Sequence, residues 1–421
     1  MGKLMQKRTY LDYAASTPID KRVSKAMEKV AETAWANPSS LHIEGMAARE
    51  ILEKSRTEIA NILNCRASEV YFTSGGTESA NIAISGIIQN AKSRLNLDKS
   101  NQGLTLMSHI ITSTIEHPAV LETINSLSKW GVEVSYISPN ENGIVSAESI
   151  NKEIKENTVL ICLMHANNEI GVIQPVAKVA NFIKEYKKNK KLDRREPLLP
   201  YPYLLTDASQ SAAYENIALD RLGADLLILD GIKIYGPRGA GILVIKQGVG
   251  ISSTIFGGGQ EKGMRPGTEN VISALGLAEA VKIANKIREK ESSRLTQLRD
   301  YAITKILKEV PGSSLNGDPE RRLPNNINIC FSPQGNALGK VDSEFLVIKL
   351  DTLGFAVSSA SACSNLKTEN SSYVLEALGK GPSAGSGSSN CASSSLRFTL
   401  GRETTKADLD KLIFALKKVT K

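Results

Sequence analysis

Residues 223–244 read GADLLILDGIKIYGPRGAGILV. Leu226 to Leu229 form a short apolar run bounded by turn residues, the pattern of a buried strand. The chain then turns through Gly231, presents one lysine, Lys233, and leaves through YGPRGAG into a second apolar run, GILVIK. A lysine at the end of a buried strand has two readings. Its stem can lie along apolar surface while the ammonium reaches water. Alternatively, its amine, held in a partly desolvated site, loses some of its charge and becomes the nucleophile of a Schiff base. The neighbouring segments decide between them.

Working outward, strand-like runs alternate with helical patterns. EVYFTS precedes ESANIAISGIIQNAK, HIITSTIEH precedes AVLETINSLSKWG, and TVLICLMHANN precedes PVAKVANFIKEYKKN; YLLTDASQS, ADLLILDG and GILVIK follow. This alternation predicts an α/β fold with a largely parallel sheet covered by helices. Function in such sheets collects at the carboxyl ends of the strands. Past about residue 270 the pattern changes. A long helix or helix pair spans ISALGLAEAVKIANKIREKESSRLTQLRDYAITKILKEV. NNINICF, FLVIKLDTLGFAVS and SLRFTLG then suggest a smaller α+β unit ending in the amphipathic KADLDKLIFALKKV. Residues 379–395, GKGPSAGSGSSNCASSS, are rich in Gly and Ser and predict a flexible loop.

The chain of 421 residues is long enough for two domains, or for one large domain with an appendage. No apolar run approaches the length that spans a bilayer. The opening MGKLMQKRTYLDYAAS has neither the apolar core of a secretory signal nor an arginine-rich transit pattern, so a cytoplasmic protein is expected. The five cysteines, Cys65, Cys162, Cys330, Cys363 and Cys391, are widely spaced with no CxxC pair. Neither a disulfide scaffold nor a structural metal site is indicated, and most should be inert buried thiols. The net charge is +8, with KEYKKNKKLDRRE at 184–196 a visible contributor. That stretch lacks interleaved stacking aromatics and reads as a solvated helix end, not a nucleic-acid surface.

Four strand ends carry candidate chemistry. FTSGGTESANIAI places Gly75, Gly76 and Thr77 between a strand and a helix. Free N–H groups and a hydroxyl there suit a phosphate, though Gly-Gly-Thr is also an ordinary turn and cap. His117 follows the next strand, before a proline; it either caps a helix or lies flat over a flat cofactor and moves protons. Asn167 and Asn168 end the third strand, as turn formers or as ligand-orienting amides. Asp207 ends the fourth, with Gln210 three residues on; an aspartate there caps a helix or holds a pyridinium proton. Phosphate site, stacking ring, pyridinium partner and Schiff-base lysine at successive strand ends together form a pyridoxal phosphate constellation.

Ten segments, in order, carry a resemblance: YLDYAASTP, NPSSLH, FTSGGTESANIAI, EHPAVL, HANNEIGVIQP, TDASQS, KIYGPRGAG, GGGQEKGMRPGTEN, AVSSASACSN and SLRFTLGR. They resemble the cysteine desulfurases of the iron–sulfur cluster and nitrogen-fixation type, within the class V aminotransferase family of fold-type I pyridoxal phosphate enzymes. The resemblance covers nearly the whole chain. It implies a large cofactor-binding domain over 15–270 with a mainly parallel seven-stranded sheet. A small α+β domain over 1–14 and 271–421 would carry the catalytic cysteine loop. Pyridoxal 5'-phosphate would be carried on Lys233, with Asp207 on the pyridine nitrogen, His117 on the ring and in proton transfer, and Gln210 on the phenolic oxygen. Gly76 and Thr77 would bind the phosphate, and Thr268 would reach the phosphate of a second subunit, which implies a homodimer. Asn168 and Arg397 would hold the carboxylate of L-cysteine, since a guanidinium gives a bidentate clamp.

Cys363 would be the persulfide-forming nucleophile, passing sulfur to a scaffold or carrier protein for iron–sulfur clusters or thiolated tRNA and cofactors. Cys391 would either receive that sulfur or be incidental. Two other readings stand beside the desulfurase: another class V activity, such as selenocysteine lyase or aminotransferase, or a catalytically silent partner protein of the same fold. Two positions depart from the family pattern, which carries Ser-Gly-His before the lysine. Here the residues are Asp230, Gly231 and Ile232. A carboxylate in place of the phosphate-binding serine would repel the phosphate unless it turned away to a cation or took up a proton. Ile232 removes an imidazole and throws proton handling onto His117 and Lys233.

Overall fold

The computed structural model describes residues 8–97, 107–189, 201–332, 342–359, 371–381 and 390–420. The first short strand, β1 (Thr9–Tyr10), brings the N-terminal segment to the far end of the chain, as its parallel partner below shows. The main sheet then forms from β2 (Val70–Thr73), β3 (His109–Ser113), β4 (Glu133–Ile137), β5 (Thr158–Cys162), β6 (Tyr203–Asp207), β7 (Leu226–Asp230) and β8 (Gly241–Ile245). Their order across the sheet is β2-β8-β7-β6-β5-β3-β4. The pairs from β7 to β4 are parallel, and β8 runs antiparallel between β7 and β2. The seven-stranded, mainly parallel sheet expected from the sequence is present.

Alternation of side chains along buried strands produces two cores, one on each face. Ile111, Ile161, Leu204, Leu227, Leu229, Ile242 and Val244 point into one, with Ile59, Leu63, Val176, Ile183 and Leu277 from covering helices. Ile110, Leu160, Tyr203, Leu205, Leu226, Ile228 and Leu243 point into the other, against Ile84, Ile87 and Ile88 of the helix Gly76–Leu97 and Val120 and Ile124 of the helix Pro118–Ser128. The result is three layers, with the parallel strand ends left open at one edge.

One helix of 39 residues, Val271–Glu309, follows the sheet, roughly 58 Å long at 1.5 Å per residue. Beyond it lie β9 (Ser313–Leu315), β10 (Asn326–Phe331), β11 (Phe355–Ala356), β12 (Ser358–Ser359) and β13 (Ser395–Thr399). An antiparallel sheet runs in the order β12-β13-β10-β9, while β11 pairs in parallel with β1. Arg397 stands opposite Asn328 and Ser358 in this second sheet.

The thiols differ from expectation. Cys330 of β10 and Cys391 form a disulfide across a sequence separation of 61. Cys391 opens a short helix, Cys391–Ser394, whose Cys391, Ala392 and Ser394 are buried, so the serine-rich stretch ends in packed structure and not in loop. Apolar neighbours and strand pairing at β10 and β13 fix that turn, a tertiary effect that local composition does not carry. Among the described residues no helix is long and apolar enough to cross a membrane, and no cluster of metal-binding side chains occurs.

Candidate active site

Lys233 closes a single helical turn, Gly231–Lys233, directly after β7. Side chains are excluded at its start: a Cβ on Gly231 would lie 2.7 Å from the carbonyl oxygen of Pro237 and 2.8 Å from that of Ala240. Tyr235, two residues past the lysine, takes φ 63°, a left-handed conformation costly for a bulky residue. Its amide donates to Thr17 Oγ1 at 2.8 Å, its hydroxyl accepts from Arg402 N at 3.0 Å, and the Arg402 guanidinium lies 3.8 Å from its ring centre. The turn is thus locked from both sides, and it aims Lys233 at the N-terminal segment. The ammonium donates to the carbonyl oxygens of Ala14 at 2.8 Å and Ala15 at 2.7 Å. Gln210 Nε2 donates to the same Ala14 oxygen at 2.9 Å.

One cavity of about 210 Å³ opens at these strand ends. Lys233, His117, Asn168, Asp207, Gln210, Gly76 and Thr77 all line it, so seven of the sequence-predicted residues converge there. Asp207 Oδ1 accepts from Ser209 N at 2.9 Å, which fixes the carboxylate at the end of β6. His117 caps a helix and also faces the cavity. Its Nδ1 accepts from Ala119 N at 3.1 Å, capping the helix at Pro118, and its ring faces the cavity. Burial pushes its pKa down, the lysine adds to that, and Asp207 and Asp230 oppose it. Burial thus favours the neutral ring, and with Nδ1 accepting, its Nε2 is the nitrogen left to carry a proton.

The paired asparagines divide the work. Asn167 is the turn former: its Oδ1 accepts from Glu169 N and Ile170 N, and its amide donates to Ile115 O. Asn168 faces the cavity, and its buried Oδ1 has no partner. Arg397 abuts it from the second sheet. One guanidinium nitrogen donates to Asn168 O and another to Asp12 Oδ1, each at 2.9 Å, while the buried Nε has no partner. An orphaned buried polar atom calls for an explanation, and at the edge of a cavity a ligand's polar group supplies one.

Two predicted residues are not among those described at this cavity. Thr268 does not line this cavity; it lines a cleft with Trp35, Asn37 and Asn270. Cys363 lies outside the described residues, but both flanks of its segment are anchored at the site. Ser358 sits opposite Arg397 in β12, and Tyr373 on the other side donates its hydroxyl to Glu116 O at 2.8 Å. Asp12, Ala14, Ala15, Met164, Ala166 and Ser209 are contributors that motif reading missed. YLDYAAS was the available signal for the first three.

Asp230 overturns one expectation. It does not turn away to a cation. Its Oδ2 accepts from Gly76 N at 3.1 Å and its Oδ1 from Ile232 N at 3.1 Å, because the turn before Lys233 needs an N-cap and a carboxylate supplies it. Ile232 lines the cavity, and its carbonyl accepts from Thr17.

The aminotransferase class-V family matches residues 9–412. The cysteine desulfurase IscS of Dictyoglomus turgidum is 39% identical, covering 99% of this chain and 95% of its own length. That of Archaeoglobus fulgidus is 37% identical, covering 97% and 95%. A solved NifS-like protein superposes with a TM-score of 0.82 at 30% identity, covering 98% of this chain and 99% of its own. The chain belongs to the class-V aminotransferase family, and within it to the pyridoxal phosphate-dependent cysteine desulfurases. Its site fits the cofactor in its lysine, its carboxylate at a strand end, its neutral ring and its unpartnered amide; only the corner at Asp230 departs.

Proposed function

We propose that this cysteine desulfurase converts L-cysteine to L-alanine with Lys233 as the proton carrier and Cys363 as the persulfide-forming nucleophile. The observation that carries the proposal is the convergence of Lys233, His117, Asp207, Gln210 and Asn168 on one cavity with Arg397 behind it. Asp207 would hold the pyridine nitrogen, His117 the ring face, Gln210 the phenolic oxygen, and Gly76 with Thr77 the phosphate. Bound pyridoxal phosphate supplies the sink for electrons released at the substrate Cα.

The free valences of Arg397 Nε and Asn168 suit the substrate carboxylate, and Asp12 holds the guanidinium in place for it. Lys233 Nζ takes the Cα proton, and the neutral His117 ring offers Nε2–H to the reacting face. The Cys363 thiolate attacks the substrate sulfur. An S–S bond forms as the Cβ–S bond breaks, its electron pair returns to carbon, and protonation at Cβ with return of the Cα proton from Lys233 yields alanine. The reach is short: four residues from Ser359 span at most about 14 Å at ~3.5 Å each, and Ser358 stands opposite Arg397.

Around this chemistry we place a large domain over 15–270 and a small one over 1–14 and 271–421. The separate seven-stranded and four-stranded sheets and the linking helix support the division. A homodimer, with Thr268 of each chain serving the other, is supported by the cleft Thr268 shares with the exposed Trp35. The sulfur acceptor is a scaffold or carrier protein, and the compartment is the cytoplasm, where a thiol nucleophile stays reduced. The Cys330–Cys391 bond pulls the other way, and it is shielded, with both residues buried.

The test is a visible spectrum with an alanine and sulfide assay on L-cysteine. Cys363→Ser keeps the visible chromophore and loses sulfide release; release at the parental rate would refute the role of Cys363. Lys233→Ala loses the chromophore, and an unchanged spectrum would refute the role of Lys233.

A further inference from the structure

We propose that Asp230 is an intramolecular occupant of the phosphate seat, so that this chain gains little of its cofactor affinity from the phosphate. The proposal rests on the cofactor assignment above and concerns one corner of that cavity. The first amide of the helix Gly76–Leu97 is the group a phosphate would use, since a helix N-terminus carries partial positive charge and free N–H donors. Here that amide already has an anion: Gly76 N donates to Asp230 Oδ2 at 3.1 Å.

The carboxylate packs against this corner of the cavity, which Gly76, Thr77 and Ser209 line with it. A Cβ built on Gly75 would meet Oδ2 at 3.4 Å, and one on Gly76 would meet it at 3.5 Å with Ser209 Oγ at 3.7 Å, both ordinary van der Waals distances. The second oxygen is tied as well, through Ile232 N at 3.1 Å. Asp230 therefore joins the helix N-terminus to the turn that bears Lys233, and displacing it unmakes both contacts. No lysine or arginine pairs with it among the described residues. Arg265, which approaches the same helix, is committed to Glu78 at 2.9 Å, and Arg238 donates to Ser16.

An arriving phosphate must either evict the carboxylate from Gly76 N or sit beside it as a second anion. Either course removes most of what a phosphate normally contributes. The ring contacts and the covalent link at Lys233 do not touch this corner. The two halves of the cofactor should thus differ in how they respond to Asp230.

The experiment titrates the full-length chain, stripped of cofactor, with pyridoxal phosphate and with pyridoxal, following visible absorbance. Parental protein should separate the two ligands poorly. Asp230→Ser and the isosteric Asp230→Asn should each bind pyridoxal phosphate about tenfold more tightly or better, while pyridoxal shifts by less than about threefold. As a second readout, millimolar inorganic phosphate should raise the melting temperature of both stripped variants and leave the parent unmoved. Unchanged or weaker pyridoxal phosphate binding in both variants overturns the proposal. Equal gains for both ligands also overturn it, because Asp230 would then act through the lysine turn. Failure of every form to bind either ligand would instead strike the cofactor assignment itself, and the proposal with it.

Discussion

Glu116 precedes His117 in the chain and carries a pH dependence of its own. Burial pushes its carboxyl up from 4.5 to about 8, against the opposing pull of the Ser113 hydroxyl at 2.6 Å and Met164 N at 3.0 Å. A group whose folded pKa is raised binds its proton more tightly in the native state. Its contribution to stability is complete below 4.5 and is lost as pH rises through about 8. The slope in that window is roughly 1 kcal/mol per pH unit. Glu169 adds to the same limb, raised by burial to about 7, while His165, lowered by burial to about 4, destabilises on the acid side. Glu116→Gln keeps an acceptor and removes the titration. Its urea midpoint should therefore overtake the parental one progressively between pH 4.5 and 8; parallel profiles would contradict this. At this scale the sequence was legible where residue type and strand end coincide, as for Lys233, Asp207 and His117. It was silent where the partner is remote. Nothing near Lys233 in sequence announces that Ala14 and Ala15 hold its ammonium, and nothing near Arg397 announces Asp12. Asp230 shows the intermediate case: its charge signalled a conflict, but the direction it turns is set by two backbone amides.

The turn that seats an anion is held from below by its neighbouring strand. Gly241 of β8 stands opposite Thr73 of β2 and Asp230 of β7. A Cβ there would lie 2.6 Å from Gly75 Cα and 2.8 Å from its N and C atoms. Backbone in the turn between β2 and its helix cannot give way as a flexible side chain does. Gly241→Ala should cost about 1–3 kcal/mol in denaturant unfolding. A variant as stable as the parent would show that the turn yields. Elements were read from apolar runs where both faces are buried, which is why β3, β5, β6, β7 and β8 stood out. The edge strand β4 did not, because EVSYI is half-exposed and mixes polar with apolar residues. The single helix Val271–Glu309 was visible, and its continuity was not. The Cys330–Cys391 contact was invisible, because it depends on how β10 and β13 meet and on no local spacing.

For the whole molecule, the surface around Thr268 argues for a second copy. Trp35 is 73% exposed and shares its cleft with Thr268, Glu269 and Asn270. Leu41 at 83%, Ile43 at 77% and Phe256 at 81% flank these segments in sequence. Single exposed apolar residues need no explanation, but Trp35 in the cleft that Thr268 lines suits the contact face of the homodimer proposed above. The same face carries the one predicted cofactor residue absent from the main cavity, so pairing two chains would complete the site and bury these side chains in one step. Sedimentation of the 45.4 kDa chain should give twice that mass at micromolar concentration. Trp35→Glu places a charge where the contact would close, and truncating a central aromatic anchor typically costs about 2 kcal/mol or more. That variant should shift toward the single-chain mass, and its cofactor occupancy should fall in step, with the helical signal unchanged. A parental protein that sediments as one chain with full cofactor content would refute the paired site; so would a Trp35→Glu monomer that retains its cofactor as tightly as the parent, because Thr268 would then have no role across the interface.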